Sequence, residues 1–215
     1  MIFGEALNKL AVEAHENAVE HGFYDGAETM DDEALELLHA RLFALMHCEL
    51  SEAIQEERRG HEQKWYMCRQ TWGGRVGNCD TCVIPKIKGE CQERYLDRNP
   101  HGVPVELADF VIRLLDWCGW QGVRLCDTVD WATRYKHLPR LVNALHDMLC
   151  GFAEKIDLAS RAIGADDEPM TRVLVVAMIS VVEAWFIDRG LSLTDIMREK
   201  MAWNAGRPRL HGKLY

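Results

Sequence analysis

Helix-length segments with regular apolar spacing, separated by glycine and proline, limit this 215-residue chain to a mostly helical fold. Residues 5–21 carry apolar side chains close to a 3.6-residue period, and Gly22 follows as a helix stop. A second helix is predicted from about Asp31 to Arg59, because acidic residues begin it and arginines end it, as the helix dipole favours. At ~1.5 Å per residue it would be ~43 Å long, so it is either a central helix or broken in the middle.

Helical patterns continue through the second half of the chain, where Pro104 and Pro139 mark the starts of two helices. Residues 169–189 could be strand or helix by composition, and their length favours helix. Ser192 and Asp195 resemble a capping box. The helices predicted in this half span 104 to 119 or 122, a short stretch from about Asp127, 139–164, 169–189 and 192–204. The sequence therefore predicts an all-α helical bundle in a single domain over 1–215, with extra helices toward the C-terminus.

Residues 61–103 interrupt the helical pattern and indicate a cysteine-rich insertion within that domain. Turn signals dominate there, in WGGRVGNCDTC, KGEC and DRNPHG. Cys68, Cys79, Cys82 and Cys91 are spaced C-x10-C-x2-C-x8-C, a set of thiolates that suits a tetrahedral structural zinc. Zinc would also supply folding energy that a segment poor in apolar residues lacks. A redox pair at the central CxxC and four unrelated thiols remain as alternatives.

The other cysteines show no such spacing. His61 could replace one of the zinc ligands in the insertion. Four cysteines lie in apolar helical patterns and are expected to be buried small hydrophobic residues: Cys48, Cys118, Cys126 and Cys150.

Charge and hydropathy restrict the partners of the chain. A formal net charge of −9 repels the backbone of polymeric nucleic acid. The N-terminal residues lack the pattern of a signal peptide, and eight cysteines without an export signal indicate thiols or metal ligands rather than disulfides. The most apolar run, 173–187, is shorter than the ~20 residues of a membrane span and contains Glu183. We therefore expect a cytoplasmic protein that binds neither a membrane nor polymeric nucleic acid.

Two pairs of acidic residues with three-residue spacing indicate a metal site. Glu49 and Glu52 share one face of the second helix, and Glu106 and Asp109 share one face of a later helix. If the pairs face each other, they form an anionic cluster that is unfavourable without a counter-ion. Hard oxygen ligands of this kind suit Mg²⁺ or Mn²⁺.

A solvated helix face is the main alternative for acids at such spacing. We expect it for Glu56 and Glu57, which lie in EAIQEERRG beside arginines. Around Glu106 and Asp109 the sequence VPVELADFVIRLL is largely apolar, which argues against exposure there.

The motifs ELSEA at 49–53 and ELAD at 106–109 resemble the ExxE and ExxD motifs of MazG-like nucleoside triphosphate pyrophosphohydrolases, an all-α family. The stretch ALNKLAVEAHENAVEHGFYD is similar to the first helix and turn of that family, and KMAWNAGRPRLHGKLY is similar to its C-terminal tail. The resemblance covers roughly 5–60, 102–135 and 190–215. The chain departs from the family in the 53 residues that separate Glu52 from Glu106 and in 138–189, which lie outside the minimal family core.

The resemblance implies a reaction and the residues for it. It implies that Glu49, Glu52, Glu106 and Asp109 bind Mg²⁺, and that water attacks the α-phosphate of a (d)NTP to give a (d)NMP and pyrophosphate. An acidic site needs cations to hold a triphosphate, and the matching tail implies phosphate binding by Lys200, Asn204, Arg207 and Lys213. Matching residues of the first helix and turn remain open between base recognition and helix packing: His15, Asn17, Phe23 and Tyr24.

A second class of function competes with the enzyme. The chain could be a zinc-containing binding or regulatory module in which the acidic site is vestigial. A zinc-ribbon nucleic-acid binder is disfavoured, because the cations of the insertion are scattered and the net charge is acidic. The apolar helices near 141–156 and 173–187 present more hydrophobic face than a minimal four-helix unit buries, so we expect a homodimer or a higher homo-oligomer.

Overall fold

A computed structural model of the chain describes residues 1–68, 96–129, 133–154 and 168–212. In these ranges the chain forms six α-helices and one two-stranded antiparallel sheet, which confirms the all-α prediction. The helices are α1 Gly4–Glu20, α2 Asp32–Arg58, α3 Val103–Gln121, α4 Leu138–Ala153, α5 Glu168–Ile187 and α6 Leu193–Asn204, and the strands are β1 Trp65–Cys68 and β2 Leu96–His101.

Helix α3 is the centre of the fold, because it packs against α1, α2 and α6. Most of its residues are buried, including the acidic residues Glu106 and Asp109. Pro104 lies in its first turn, and the helix ends at Gly122, whose φ of 67° is favourable for glycine. Any side chain that projects from α3 is therefore presented to several neighbouring helices at once.

Gly119 permits the close contact between α1 and α3. A Cβ atom at this position would lie 2.5 Å from the backbone oxygen of Ala11 and 2.8 Å from Cβ of His15, both on α1. Glycine therefore lets the two backbones approach more closely than alanine could.

The C-terminal helices extend the bundle. Helix α4 packs on α2, α5 packs on α4, and α6 returns to α3. Helix α6 begins as predicted, with Ser192 Oγ accepting a hydrogen bond from the backbone N–H of Asp195 at 3.3 Å. Helix α2 is also unbroken and starts at an N-cap, Asp31, that accepts from Ala34 N at 2.9 Å.

The stretch Pro169–Ile187 of α5 is long and apolar enough to cross a membrane, with a mean hydropathy of 1.9. This stretch is longer than the apolar run at 173–187 that is apparent in the sequence. In the folded chain 67% of its most apolar window is buried, as in the core helix of a globular protein.

Two helix predictions in the second half are wrong. No helix starts near Asp127, since 123–129 and 133–137 are not helical, and its side chain instead accepts a long-range hydrogen bond from Gly4 N at the start of α1, at 2.7 Å. Thr128 makes a similar long-range contact, because its Oγ1 accepts a hydrogen bond from Ile2 N at 2.7 Å. Helix α4 ends at Ala153, short of the predicted end near 164, and 155–167 lie outside the described residues.

A small sheet lies at the two ends of the predicted insertion, where the sequence analysis expected only loop. Strands β1 and β2 are antiparallel, with Trp65 opposite His101 and Tyr66 opposite Pro100. Residues 69–95 lie outside the described part of the chain, as does the side chain of Cys68. The predicted zinc ligands therefore all fall there: Cys68, Cys79, Cys82 and Cys91.

Glu56 attaches this sheet to the end of α2, and the prediction that it is solvated is wrong. Its side chain is 5% exposed and accepts hydrogen bonds from Trp65 Nε1 at 2.9 Å, His61 Nδ1 at 3.0 Å and Arg59 Nη1 at 2.9 Å. Burial acts to raise the pKa of Glu56, but these hydrogen bonds hold it below its usual value. Glu57, next to it, is half-buried.

The prediction that four cysteines are buried is confirmed for one of them and wrong for the other three. Cys118 is buried in α3, and burial raises the pKa of its thiol above the usual range. Cys48, Cys126 and Cys150 are exposed.

Candidate functional site

Helices α2 and α3 bring three of the predicted acidic residues together. Glu49 and Glu52 project from α2, and Glu106 projects from the first turn of α3. One carboxylate oxygen from each lies within 4.8 Å of the others, and Glu49 and Glu106 are buried while Glu52 is exposed. This is the spacing of ligand atoms that a single cation could contact together.

Asp109 lies one turn further along α3 and pairs with a lysine of α6. The Nζ atom of Lys200 is 2.9 Å from Asp109 Oδ2, and the lysine is 8% exposed. Burial raises the pKa of Asp109 to about 6, although the charge of Lys200 opposes that rise. Asp109 thus lies in the same site but outside the group of three carboxylates.

Arg113, four residues after Asp109 on α3, was not among the predicted site residues. Its Nε donates to Glu49 Oε1 at 2.5 Å, which links α3 to α2. The spacing of 109 and 113 along one helix face could have indicated it. Two of the four acids therefore already have a cationic partner.

Glu106 forms no ion pair with any residue that the structure describes. Its carboxylate is 7% exposed and accepts no hydrogen bond from the described residues. Burial raises the pKa of Glu106 to about 8, the nearby charges of Asp109, Glu49 and Glu52 add to the rise, and the charge of Lys200 opposes it. A carboxylate in this position is favoured either as a neutral acid or beside a cation.

A cavity of about 210 Å³ contains all four acids. Lys200, Asn204 and Arg207, predicted to bind phosphate, line it from α6 and the segment that follows. Asn204 Oδ1 is buried there with no hydrogen-bond partner in the described residues. Lys213 lies outside the described residues. The cavity therefore combines an acidic wall with a basic one.

Strand β2 supplies a third wall that the sequence analysis did not predict. Asn99 and His101 line the cavity, and the His101 ring stacks on Trp65 at 4.6 Å between ring centroids. No signal in the sequence pointed to them, since their segment was interpreted as a loop. The base of the cysteine-rich insertion is thereby part of the site.

The end of the cavity near α1 contains a further acid, Asp116. Its Oδ1 accepts hydrogen bonds from Tyr24 Oη at 2.9 Å and from His15 Nδ1 at 3.0 Å. Burial raises the pKa of Asp116, and the hydrogen bonds from His15 and Tyr24 oppose that rise. The rest of the cavity lining is mostly apolar: Ala14, Asn17, Ala18, Phe23, Leu42 and Ile112.

No protein-family model, curated protein or solved structure matches this chain. The similarity to MazG-like motifs therefore remains a prediction from the sequence.

Proposed function

We propose that the protein is a Mg²⁺-dependent pyrophosphohydrolase that cleaves a (d)NTP to a (d)NMP and pyrophosphate. The observation that carries the proposal is the group of carboxylates at Glu49, Glu52 and Glu106, with ligand atoms within 4.8 Å of one another. The same cavity is lined by Lys200 and Arg207. Cations beside a cluster of hard oxygen ligands are what a metal-bound polyphosphate requires.

The donor set suits Mg²⁺ or Mn²⁺ rather than a softer metal, because it consists of carboxylate oxygens. Glu49, Glu52 and Glu106 would hold the cation, and Asp109 would join them when it exchanges its ion pair with Lys200 for the metal. When bound, the metal would activate water and neutralise charge on the phosphate oxygens. The raised pKa of Glu106 supports this assignment, since a cation would replace the proton that the buried group otherwise retains.

The phosphates would lie against α6. Lys200, released from Asp109, would contact the phosphate oxygens together with Arg207, and Asn204 would donate through its amide nitrogen. Asn204 Oδ1 is buried with no partner among the described residues, and because phosphate oxygens also accept, it would need a hydrogen-bond donor from another part of the ligand. Lys213 is assigned to the same role from the sequence alone.

A binding or regulatory module with a vestigial acidic site is the second candidate. The ion pairs of Lys200 with Asp109 and of Arg113 with Glu49 favour it, because they neutralise two of the acids without any metal. Such a module would bind nucleotides without a metal-dependent turnover.

The deciding experiment is a panel of nucleoside triphosphates with detection of pyrophosphate, run with Mg²⁺, with Mn²⁺ and with a chelator. We expect hydrolysis that needs the metal and that falls at least about a hundredfold in Glu49→Gln and Glu106→Gln. Glu36→Gln is the matched control, because this exposed acid lies on the same helix as Glu49 and away from the cavity. Nucleotide binding without metal-dependent pyrophosphate release would instead identify the binding module.

A structural zinc, a homo-oligomeric assembly and a cytoplasmic location remain predictions from the sequence. Metal analysis of protein purified without added zinc tests the first. Light scattering at micromolar concentration tests the second, and a single monomeric species would contradict it.

A further inference from the structure

The acidic face of α3 extends beyond the carboxylates that would hold a metal. Asp116 follows Asp109 by seven residues, about two turns, on the same side of the helix, and both line one cavity. At ~1.5 Å per residue the two acids are ~10 Å apart along the axis. The metal and phosphate wall is thus at one end of this face and Asp116 is at the other.

Asp116 is oriented by contacts that leave one of its oxygens available. Tyr24 and His15 both donate to Oδ1. No described residue donates a hydrogen bond to Oδ2. Because Asp116 lines the cavity, its Oδ2 is an acceptor that a ligand bound there could use.

The surroundings of Asp116 suit a flat, mostly apolar group with a polar edge. Phe23, Ala18 and Ile112 line the same cavity, Phe23 next to Tyr24 in the chain and Ile112 about one turn before Asp116, and the charge of Arg113 also acts on Asp116. A nucleobase has an apolar face and an edge of donors and acceptors, and it lies at the opposite end of a nucleotide from its phosphates. The spacing along α3 therefore places a base near Asp116 when the phosphates lie at α6.

We propose that Asp116 selects nucleotides whose base carries an exocyclic amino group, and that His15 and Tyr24 are positioning residues for it. This inference rests on the proposed function. A carboxylate oxygen accepts hydrogen bonds and does not donate them, so the amino group of cytosine or adenine is its complement. Uracil and hypoxanthine present a carbonyl oxygen at the same place, which the carboxylate repels.

Two pairs of substrates isolate this one contact. CTP and UTP, or their deoxy forms, differ at the C4 amino or carbonyl group, and ATP and ITP differ in the same way at C6. We expect kcat/KM to favour the amino member of at least one pair by about ten- to a hundredfold. In Asp116→Asn the amide nitrogen replaces Oδ2 as the group presented to the base, so the preference should collapse or invert toward the carbonyl member.

Two further variants show whether the preference depends on the position of Asp116. Tyr24→Phe keeps the ring that packs on Trp120, at 5.0 Å between centroids, and removes the hydrogen bond to Asp116. We expect the amino preference to fall at least about threefold in it, and this variant decides the question if Asp116→Asn does not fold. Glu16→Gln, an exposed acid on α1, should keep the wild-type ratio.

The outcomes separate this inference from the proposed function. Metal-dependent hydrolysis with equal rates for both members of each pair, or with a preference for the carbonyl members, would overturn the role of Asp116 alone. An amino preference that is unchanged in Asp116→Asn and in Tyr24→Phe would do the same. Failure to hydrolyse any triphosphate would overturn the proposed function and this inference with it.

Discussion

Replacing Glu106 with glutamine should change how the stability of the metal-free protein depends on pH. The carboxyl group has a pKa of about 8 in the folded chain against an ordinary value of 4.5, chiefly because it is buried. A raised folded-state pKa means that the neutral form favours folding. Its contribution is therefore fully present below about pH 4.5 and is lost as the pH rises through about 8.

The size of the effect follows from the two pKa values. At about 1.4 kcal/mol per pH unit, a rise from 4.5 to about 8 corresponds to roughly 5 kcal/mol of stability lost when the titration is complete. Between about pH 5 and about pH 8 the expected loss is roughly 3 kcal/mol. Glu106→Gln does not titrate, so its free energy of unfolding should exceed that of the wild type by a margin that grows over this interval.

Urea unfolding in a chelating buffer measures this margin, with the fluorescence of the seven tryptophans as the signal. Glu36→Gln provides the control, because an exposed glutamate should give a pH profile parallel to the wild type. Added Mg²⁺ should stabilise the wild type more at about pH 8 than at about pH 6, since the cation competes with the proton on Glu106. If the free energies of unfolding of wild type and Glu106→Gln differ by the same amount across this pH range, Glu106 does not have a raised pKa in the folded protein.

Three further outcomes follow from other contacts. Gly119→Ala should lower the free energy of unfolding by roughly 1–3 kcal/mol through its contact with the α1 backbone, whereas Gly151→Ala, whose Cβ meets no atom within 4 Å, should not be destabilised. Asp109→Asn should lower the free energy of unfolding, measured by chemical denaturation, by roughly 3 kcal/mol, because it leaves the charge of Lys200 buried without its partner. The double variant with Lys200→Met should regain most of that stability. Cys82→Ser should abolish the expected content of about one zinc per chain in metal analysis, and wild-type protein without zinc would contradict that site.

The helices were predictable because their signals are local. Residues within a few positions decide where α2 and α6 begin, as the side chains of Asp31 and Ser192 show by accepting hydrogen bonds at the two N-caps. The acidic motifs could be identified for the same reason, since three-residue spacing on a helix places Glu49 and Glu52 on one face. The short helix predicted from about Asp127 is absent from the described residues there, and the Asp127 side chain instead accepts a long-range hydrogen bond from Gly4 N.

The partners of the charged groups could not be predicted from the sequence. Glu56 lies among other charged residues in a helix that looked solvated, and its burial depends on Trp65, which is brought over it by the sheet. Asp109 carried a metal-ligand assignment, but it binds Lys200 from a helix almost a hundred positions away. The pairing of each carboxylate with a cationic side chain depends on how the helices pack against one another. The spacing of residues along the chain does not predict that packing.

The mostly helical class, the start of most helices and the four acids could be identified from the sequence, because each depends on neighbours within one or two turns. Three features follow from tertiary packing alone: Arg113 neutralises Glu49, no described residue donates a hydrogen bond to the buried Glu106, and none donates to the second oxygen of Asp116. These features arise where α1, α2 and α6 converge on α3. Burial and pairing are properties of that convergence, and they determine the charge that each acid can carry.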